Sequence, residues 1–236
     1  MSLKKYFLKS KWSYKFYLLY NLFIRHKCFQ KRKKYSQWGE DIEIINFFKE
    51  KTKGYYLDIG CFHPVMYSNT CLLFNDGWHG VNIDMNPTSI DLFNIARPKD
   101  HNVCAALSNE SKKIQAYFDD PFSPINTIDK DFYEKSKHVF KNHQITEMNS
   151  KKINDILKEN KIEKKIDFLN IDIEGLDYEI LKQIDLNTYN IKLIAIETHH
   201  VNGDKSIDCD KIDTHLIGLR YKVFKQLGPT TLYYKI

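Results

Sequence analysis

Gly54-Tyr55-Tyr56-Leu57-Asp58-Ile59-Gly60-Cys61-Phe62-His63-Pro64 is the stretch that decides the fold. Tyr55 to Ile59 is an apolar, aromatic-rich run, which reads as a buried strand. It closes on an acid, Asp58, and on Gly60. Lacking a Cβ, Gly60 lets the backbone turn tightly and lets a ligand approach. In open α/β sheets, ligands collect outside the carboxyl ends of the strands. Asp58 and Gly60 are therefore expected to floor a cofactor pocket whose other walls come from later strands.

Downstream, apolar runs alternate with helical patterns. Trp78 to Asp84 reads as a second strand, ending in Asp84-Met85-Asn86-Pro87, where Pro87 blocks continuation. An acid at the end of the second strand, about 20 residues past a glycine turn, is the usual grip on ribose hydroxyls. Val103 to Leu107 reads as a third strand and Ile166 to Ile171 as a fourth, leading into Asp172-Ile173-Glu174-Gly175. Leu193 to Ile196 is the fifth, ending in Glu197-Thr198-His199-His200. Helices are expected from Ser36 or Gly39 to about Lys51, with Gly54 ending that helix. Further helices are expected from Ser89 to Arg97, Lys151 to Glu159, Leu176 to Ile184 and Asp210 to Leu219. Ile114 to Phe118 suits an extra strand, and residues 119–148 read as a long polar loop of the binding-loop or lid kind. Gly228-Pro229 sits between two short apolar runs, as in a hairpin.

With 236 residues, the chain suits one α/β domain with an appendage. Of its 36 Lys and Arg, eleven fall in residues 1–34, where there is no acid; the remaining 25 face all 30 Asp and Glu. The division is thus a basic, aromatic helical arm over residues 1–34 and a mildly acidic domain over 35–236. The arm's apolar centre, Tyr14 to Ile24, is too short to span a bilayer, which needs roughly 20 apolar residues. Nor does it have the small-residue cleavage site of a secretory signal. Three uses stay open for it: contact with a membrane surface, packing on its own domain or in a homo-oligomer, and contact with nucleic acid. Nucleic acid is the weakest of the three. Five cysteines without a C-x-x-C pair argue against a disulfide framework and a thiolate zinc site. A reducing cytoplasm fits, with the arm at the inner face of the membrane.

Acids close strands one, two, four and five: Asp58, Asp84, Asp172 with Glu174, and Glu197. Carboxylates crowded into one cleft hold protons more tightly, so one can serve as a general base. Alternatively, Asp172 and Glu197 could hold a divalent cation with His199 or His200; polar strand ends are the plainer reading of those histidines. The chain has neither G-x-G-x-x-G nor G-x-x-x-x-G-K-[ST], which argues against nicotinamide dinucleotides and P-loop nucleotides. A nucleoside without a phosphate chain fits better. S-adenosylmethionine is one, and its sulfonium suits acids and aromatic faces.

Gln37-Trp38-Gly39-Glu40-Asp41, Asp58-Ile59-Gly60, Ser68-Asn69-Thr70, Gly77-Trp78-His79-Gly80 and Ile83-Asp84-Met85-Asn86-Pro87 occur in that order. They are followed by Ala106-Leu107-Ser108, by Ile166-Asp167-Phe168-Leu169-Asn170-Ile171-Asp172-Ile173-Glu174-Gly175, and by Ile196-Glu197. Over residues 35–236 this series resembles the FkbM-type methyltransferases. Cys61 and Phe62 stand where many members have small residues. The resemblance implies an α/β, class I methyltransferase (Rossmann-like) sheet, mostly parallel with the last strand antiparallel and helices on both faces. It implies an S-adenosylmethionine-dependent O-methyltransferase acting on a sugar hydroxyl of a cell-surface glycan or its precursor. Other acceptors (RNA or a small metabolite) and a non-catalytic cofactor-binding module are the alternatives. The cofactor residues it implies are Gln37, Asp58, Gly60, Cys61, His63, Ser68, Asn69, Asp84, Met85, Leu107, Ser108 and Asp172. Within that set, Asp58 and Gly60 face the methionine part, Asp84 the ribose, and Leu107 and Ser108 the adenine. Asp172, Glu174 and His199 are the catalytic candidates, and no metal ligand is assigned.

Overall fold

Tyr55–Ile59 forms strand β1, at the bounds its apolar run predicts. The computed structural model describes residues 10–162, 165–173 and 175–236. β1 pairs in parallel with β2 (His79–Asp84) on one side and with β7 (Phe168–Ile171) on the other. The sheet extends through β3 (His101–Cys104) at one edge and through β8 (Leu193–Glu197), β10 (Thr230–Lys235) and β9 (Tyr221–Leu227) at the other. The order is β3-β2-β1-β7-β8-β10-β9. Only β10 runs against its neighbours, because a tight turn at Gly228-Pro229 folds it back on β9. This is the class I methyltransferase sheet.

Successive strand residues point to opposite faces, and both faces are buried. Tyr56, Phe168, Leu193, Ala195 and Leu232 face one side, where they meet Ile44 and Phe48 at helix α2 (Glu40–Phe47) and Leu73 of α3 (Cys71–Asn75). Leu57, Ile59, Leu169, Ile194 and Ile196 face the other. They pack there against α6 (Ile153–Glu159), α7 (Asp177–Leu181) and α8 (Cys209–Gly218). Helix α4 (Pro87–Ala96) follows β2; the Asn86 side chain caps it by accepting from Thr88 N, with Pro87 in its first turn.

Several boundaries differ from the sequence reading. Helix α2 stops at Phe47, so Gly54 is not its terminator. Instead Gly54 leaves room for the Trp78 ring, which a Cβ there would approach to 2.3 Å. The third apolar run is two strands. Ala105 still donates its N–H to Asp84 O at the end of β2, and just beyond it β4 (Ala106–Leu107) joins a separate three-stranded sheet with β6 (Gln144–Lys151) and β5 (Lys113–Phe118). Residues 119–148 are not one long loop. They contain helix α5 (Lys130–Ser136), capped by the Asp129 carboxylate, and most of β6, gathered around stacked Tyr117 and Tyr133.

The N-terminal arm, as far as it is described, is helical: α1 (Lys11–Leu19) runs into a wider π turn over Tyr20–Arg25. Its inner side packs on the domain. Leu18 and Leu22 are buried against Leu92, and the Tyr14 hydroxyl donates to Asp91 at 2.7 Å. Among the described residues, no helix is long and apolar enough to cross a membrane.

Candidate functional site

The carboxyl ends of β2, β1, β7 and β8 open onto one cavity of about 1090 Å³, part of it open to solvent. Sheet order fixes the sequence of groups along its floor: Asp84, then Asp58 with Gly60, then Asp172, then Glu197.

The Gly60 turn is the tightest part. Gly60 has φ +77°, and its N–H donates to Ile83 O at 2.9 Å. A Cβ at this position would lie 1.7 Å from the Asp172 carbonyl oxygen. Two chain segments thus meet at a distance only glycine permits. Two residues on, the Phe62 N–H donates to Asp84 Oδ2 at 2.8 Å, so the turn and the acid of β2 are in direct contact. The other Asp84 oxygen accepts from Asn86 N at 2.7 Å. Each oxygen keeps a lone pair for a further donor. Burial pushes this carboxyl up to about 6, against the two N–H groups, which pull it down.

Asp58 is a buried anchor at the back of the cavity. Its oxygens accept from Thr70 Oγ1 at 2.6 Å and from Asn170 Nδ2 at 2.9 Å. Asn69 Nδ2 donates in turn to Asn170 Oδ1 at 2.9 Å. The Ser68-Asn69-Thr70 stretch thereby clamps the ends of β1 and β7 together. Behind it lies Arg97, 1 % exposed. Its guanidinium donates to Tyr56 Oη, Thr70 Oγ1, Pro64 O and Ser68 Oγ at 2.7–3.2 Å and stacks on Phe93. Burial pushes the Asp58 carboxyl up; Thr70, Arg97 and Asn170 offset part of that rise.

Of the residues singled out from the sequence, Gln37, Ser68, Asn69, Asp58, Gly60 and Cys61 border the cavity on the β1 side. Asp84, Met85 and Leu107 border it on the β2 side, and Asp172 on the β7 side. Burial, with Asp84 and Asp58 close by, raises the Cys61 thiol well above its ordinary value, so it stays protonated there.

Three others are placed elsewhere. His63 does not face the cavity: its Nδ1 accepts from Val65 and Met66 N–H groups, and its Nε2 donates to Asn21 Oδ1 at 2.8 Å. It ties the arm to the turn, and burial drives its pKa well below the usual imidazole value. Ser108 is turned toward Glu110 O and Ser150 Oγ. His199 is bonded to Thr198 Oγ1 at 2.8 Å, outside the cavity wall. Glu174 lies outside the described residues. Glu40, in the same stretch as Gln37, accepts from Trp38 N at 2.8 Å. Nor do Asp172, Glu197 and His199 converge as a cation site. Among the described residues only Cys209, Asp210 and Asp213 bring three such ligand atoms within 4.8 Å. A divalent cation at the strand ends is therefore unsupported.

Other parts of the site were missed in the sequence. Phe62 and Tyr67 both line the cavity, with stacked rings 6.4 Å apart and φ of 50° and 55°. Aromatic residues rarely adopt such angles, and clustered backbone strain marks ligand sites. The signal available was their place on a loop after a glycine turn. The outer wall comes from residues 123–128, inside the stretch read as a polar loop. Asp177 accepts from Ile173 N and Gly175 N, which holds the loop after β7, and burial raises its pKa to about 6.

A family model described as the Methyltransferase FkbM domain matches residues 58–224, well over half of the chain. No curated protein and no solved structure matches significantly.

Proposed function

The chain belongs to the FkbM methyltransferase family, and on that footing we propose that it moves the methyl group of S-adenosylmethionine onto a sugar hydroxyl of a cell-surface glycan or its precursor. One observation carries the reading. A single cavity joins a glycine turn, a ribose-type acid 2.8 Å from that turn, and two carboxylates on the next strand ends.

The residues fit the cofactor. Asp84 has one free lone pair on each oxygen for two adjacent ribose hydroxyls. Gly60 keeps open the space that a side chain would fill. Leu107 and Met85 offer apolar surface to a base, and the carboxylates give the cavity a potential that favours a cation. When bound, the cofactor supplies a sulfonium and an electrophilic methyl group. With it in place, Asp172 would accept the proton of the acceptor's hydroxyl, whose oxygen is the nucleophile toward that methyl group. Glu197, one strand over, orients the acceptor. The cavity's main contribution is to align the two reactants.

The reading is tested by methyl transfer onto a panel of nucleotide sugars and glycans. Replacing Asp172 by Asn is expected to lower turnover roughly 100-fold or more. The dissociation constant for S-adenosylhomocysteine should stay within about threefold, because the lost group acts on the proton rather than on the nucleoside. Undiminished turnover in that variant would remove Asp172 from the mechanism. Cofactor binding with no transfer to any acceptor would favour a non-catalytic module.

The raised pKa of Asp84 gives a pH dependence. The protonated acid accepts the ribose hydroxyls poorly, so affinity should be full above about 6 and fall by up to about tenfold per pH unit below it. Titration of S-adenosylhomocysteine from pH 8 to pH 5 reads this directly. A flat profile would mean that Asp84 does not hold the ligand.

A further inference from the structure

We propose that the outward side of α1 and its π turn is a docking surface for an anionic lipid bilayer. Trp12, Phe16, Tyr20 and Phe23 recur at helical spacing on the side opposite buried Leu18 and Leu22. Trp12 is 76 % exposed and Phe16 64 %. Apolar rings in a row on a helix surface otherwise find company inside the fold. Here the inner side of the helix is already committed: Tyr14 to Asp91, Asn21 to His63, and Leu18 and Leu22 to Leu92. The outward rings are therefore left over by the packing, and among the described residues nothing covers them.

Charge selects the occupant. Residues 1–34 hold eleven Lys and Arg and no acid, while the rest of the chain is net acidic. Exposed Lys11, Lys15, Arg25 and Lys27 lie along the same helix and just beyond it. Basic side chains flanking aromatic rings match a surface with anionic headgroups outside and hydrocarbon beneath. The rings enter the interface while the long basic stems reach back to the headgroups.

The placement also bears on the cavity. The Tyr17 ring packs on Phe122 with centroids 5.1 Å apart, and Phe122 directly precedes the cavity-lining Ser123 and Pro124. A bilayer on the outer side of α1 would lie about one helix diameter, roughly 10 Å, from that wall. Such a position suits an acceptor carried on a lipid. The docking surface itself does not depend on the methyl-transfer reading, and its test involves no turnover.

The experiment is co-sedimentation of the full chain with vesicles of phosphatidylcholine, with and without phosphatidylglycerol. Binding is expected to the mixed vesicles, weaker on the zwitterionic ones and reduced by salt. Trp12 fluorescence should shift to the blue on binding, and Trp12→Phe should remove that shift. The double variant Phe16→Asp, Phe23→Asp should lose roughly tenfold or more in partitioning. Its melting temperature should be unchanged, since both rings are exposed. No vesicle binding at low salt, or equal binding by the double variant, would overturn the proposal. So would a dimer that sequesters Trp12, or salt-dependent RNA binding, in the absence of lipid binding.

Discussion

Replacing Arg97 by methionine is expected to cost about 3–5 kcal/mol and to lower the thermal midpoint by roughly 10 °C. Arg97 is fully enclosed and joins four partners across three segments: β1 through Tyr56, the 64–70 loop, and α4 behind it. Methionine fills much of the volume but supplies no donor. Tyr56, Thr70, Ser68 and Pro64 O would each lose a partner, and Asp58 would lose the nearest compensating charge. The loss has a pH signature. Burial already raises the Asp58 pKa in the folded state, and removing Arg97 raises it further. An acid whose folded pKa lies above its unfolded value destabilises the fold progressively as pH rises from the unfolded value through the folded one. The deficit of the variant should therefore be smallest in acid and grow toward neutrality. Thermal melts of both proteins between pH 4 and pH 8 measure it. A midpoint within 2 °C of wild type at pH 7, on the order of 1 kcal/mol or less, would show that the arginine is not holding this network.

Replacing Gly60 by alanine should remove cofactor binding, with a loss of more than about 100-fold in affinity for S-adenosylhomocysteine. Two independent causes act together. A non-glycine residue at φ +77° costs about 1–2 kcal/mol. A methyl group 1.7 Å from the Asp172 carbonyl must also push the end of β7 away from β1. That movement opens the turn that places the Phe62 N–H on Asp84. Since the strands below are locked by their own ladders, the fold should survive with a lower midpoint. Circular dichroism separates the two effects. Near-normal affinity in a folded Gly60→Ala protein would contradict the assignment of the turn.

The sequence makes the centre of the sheet legible and its margins obscure, for physical reasons. β1 is bounded by composition: an apolar run between two glycines, buried on both faces, leaves little else for the backbone to do. β7 and β8 are equally plain. Ala105 is different. The run Val103 to Leu107 is uniformly apolar, yet the chain changes sheets there because Ser150 and Lys151, more than forty residues away, pair with Ala106 and Leu107. No local pattern encodes that partner. The 119–148 stretch hides its helix because α5 buries only Tyr133 among its side chains, too little to show a period. The Asp129 cap was the readable cue.

Site residues divide in the same way. Asp84 and Gly60 stand out because their chemistry follows from position at a strand end. His63 is a pocket residue by family resemblance alone, and here the chain turns its ring back toward Asn21 of the arm. Arg97 and Asn170 escaped notice because an arginine closing a helix and an asparagine within a strand carry no local mark. Only the assembled fold brings Asn170 onto Asp58 and places Arg97 behind it, on Thr70.

The central claim is that the carboxyl edge of β1 and β2 holds a sulfonium nucleoside. Isothermal titration of the full chain with S-adenosylhomocysteine at pH 8 tests it most directly. The account predicts one site per chain with a dissociation constant of about 1–100 μM, near −7 kcal/mol, and loss of the heat in Gly60→Ala. A folded wild-type protein that gives no heat with either S-adenosylhomocysteine or S-adenosylmethionine would contradict it.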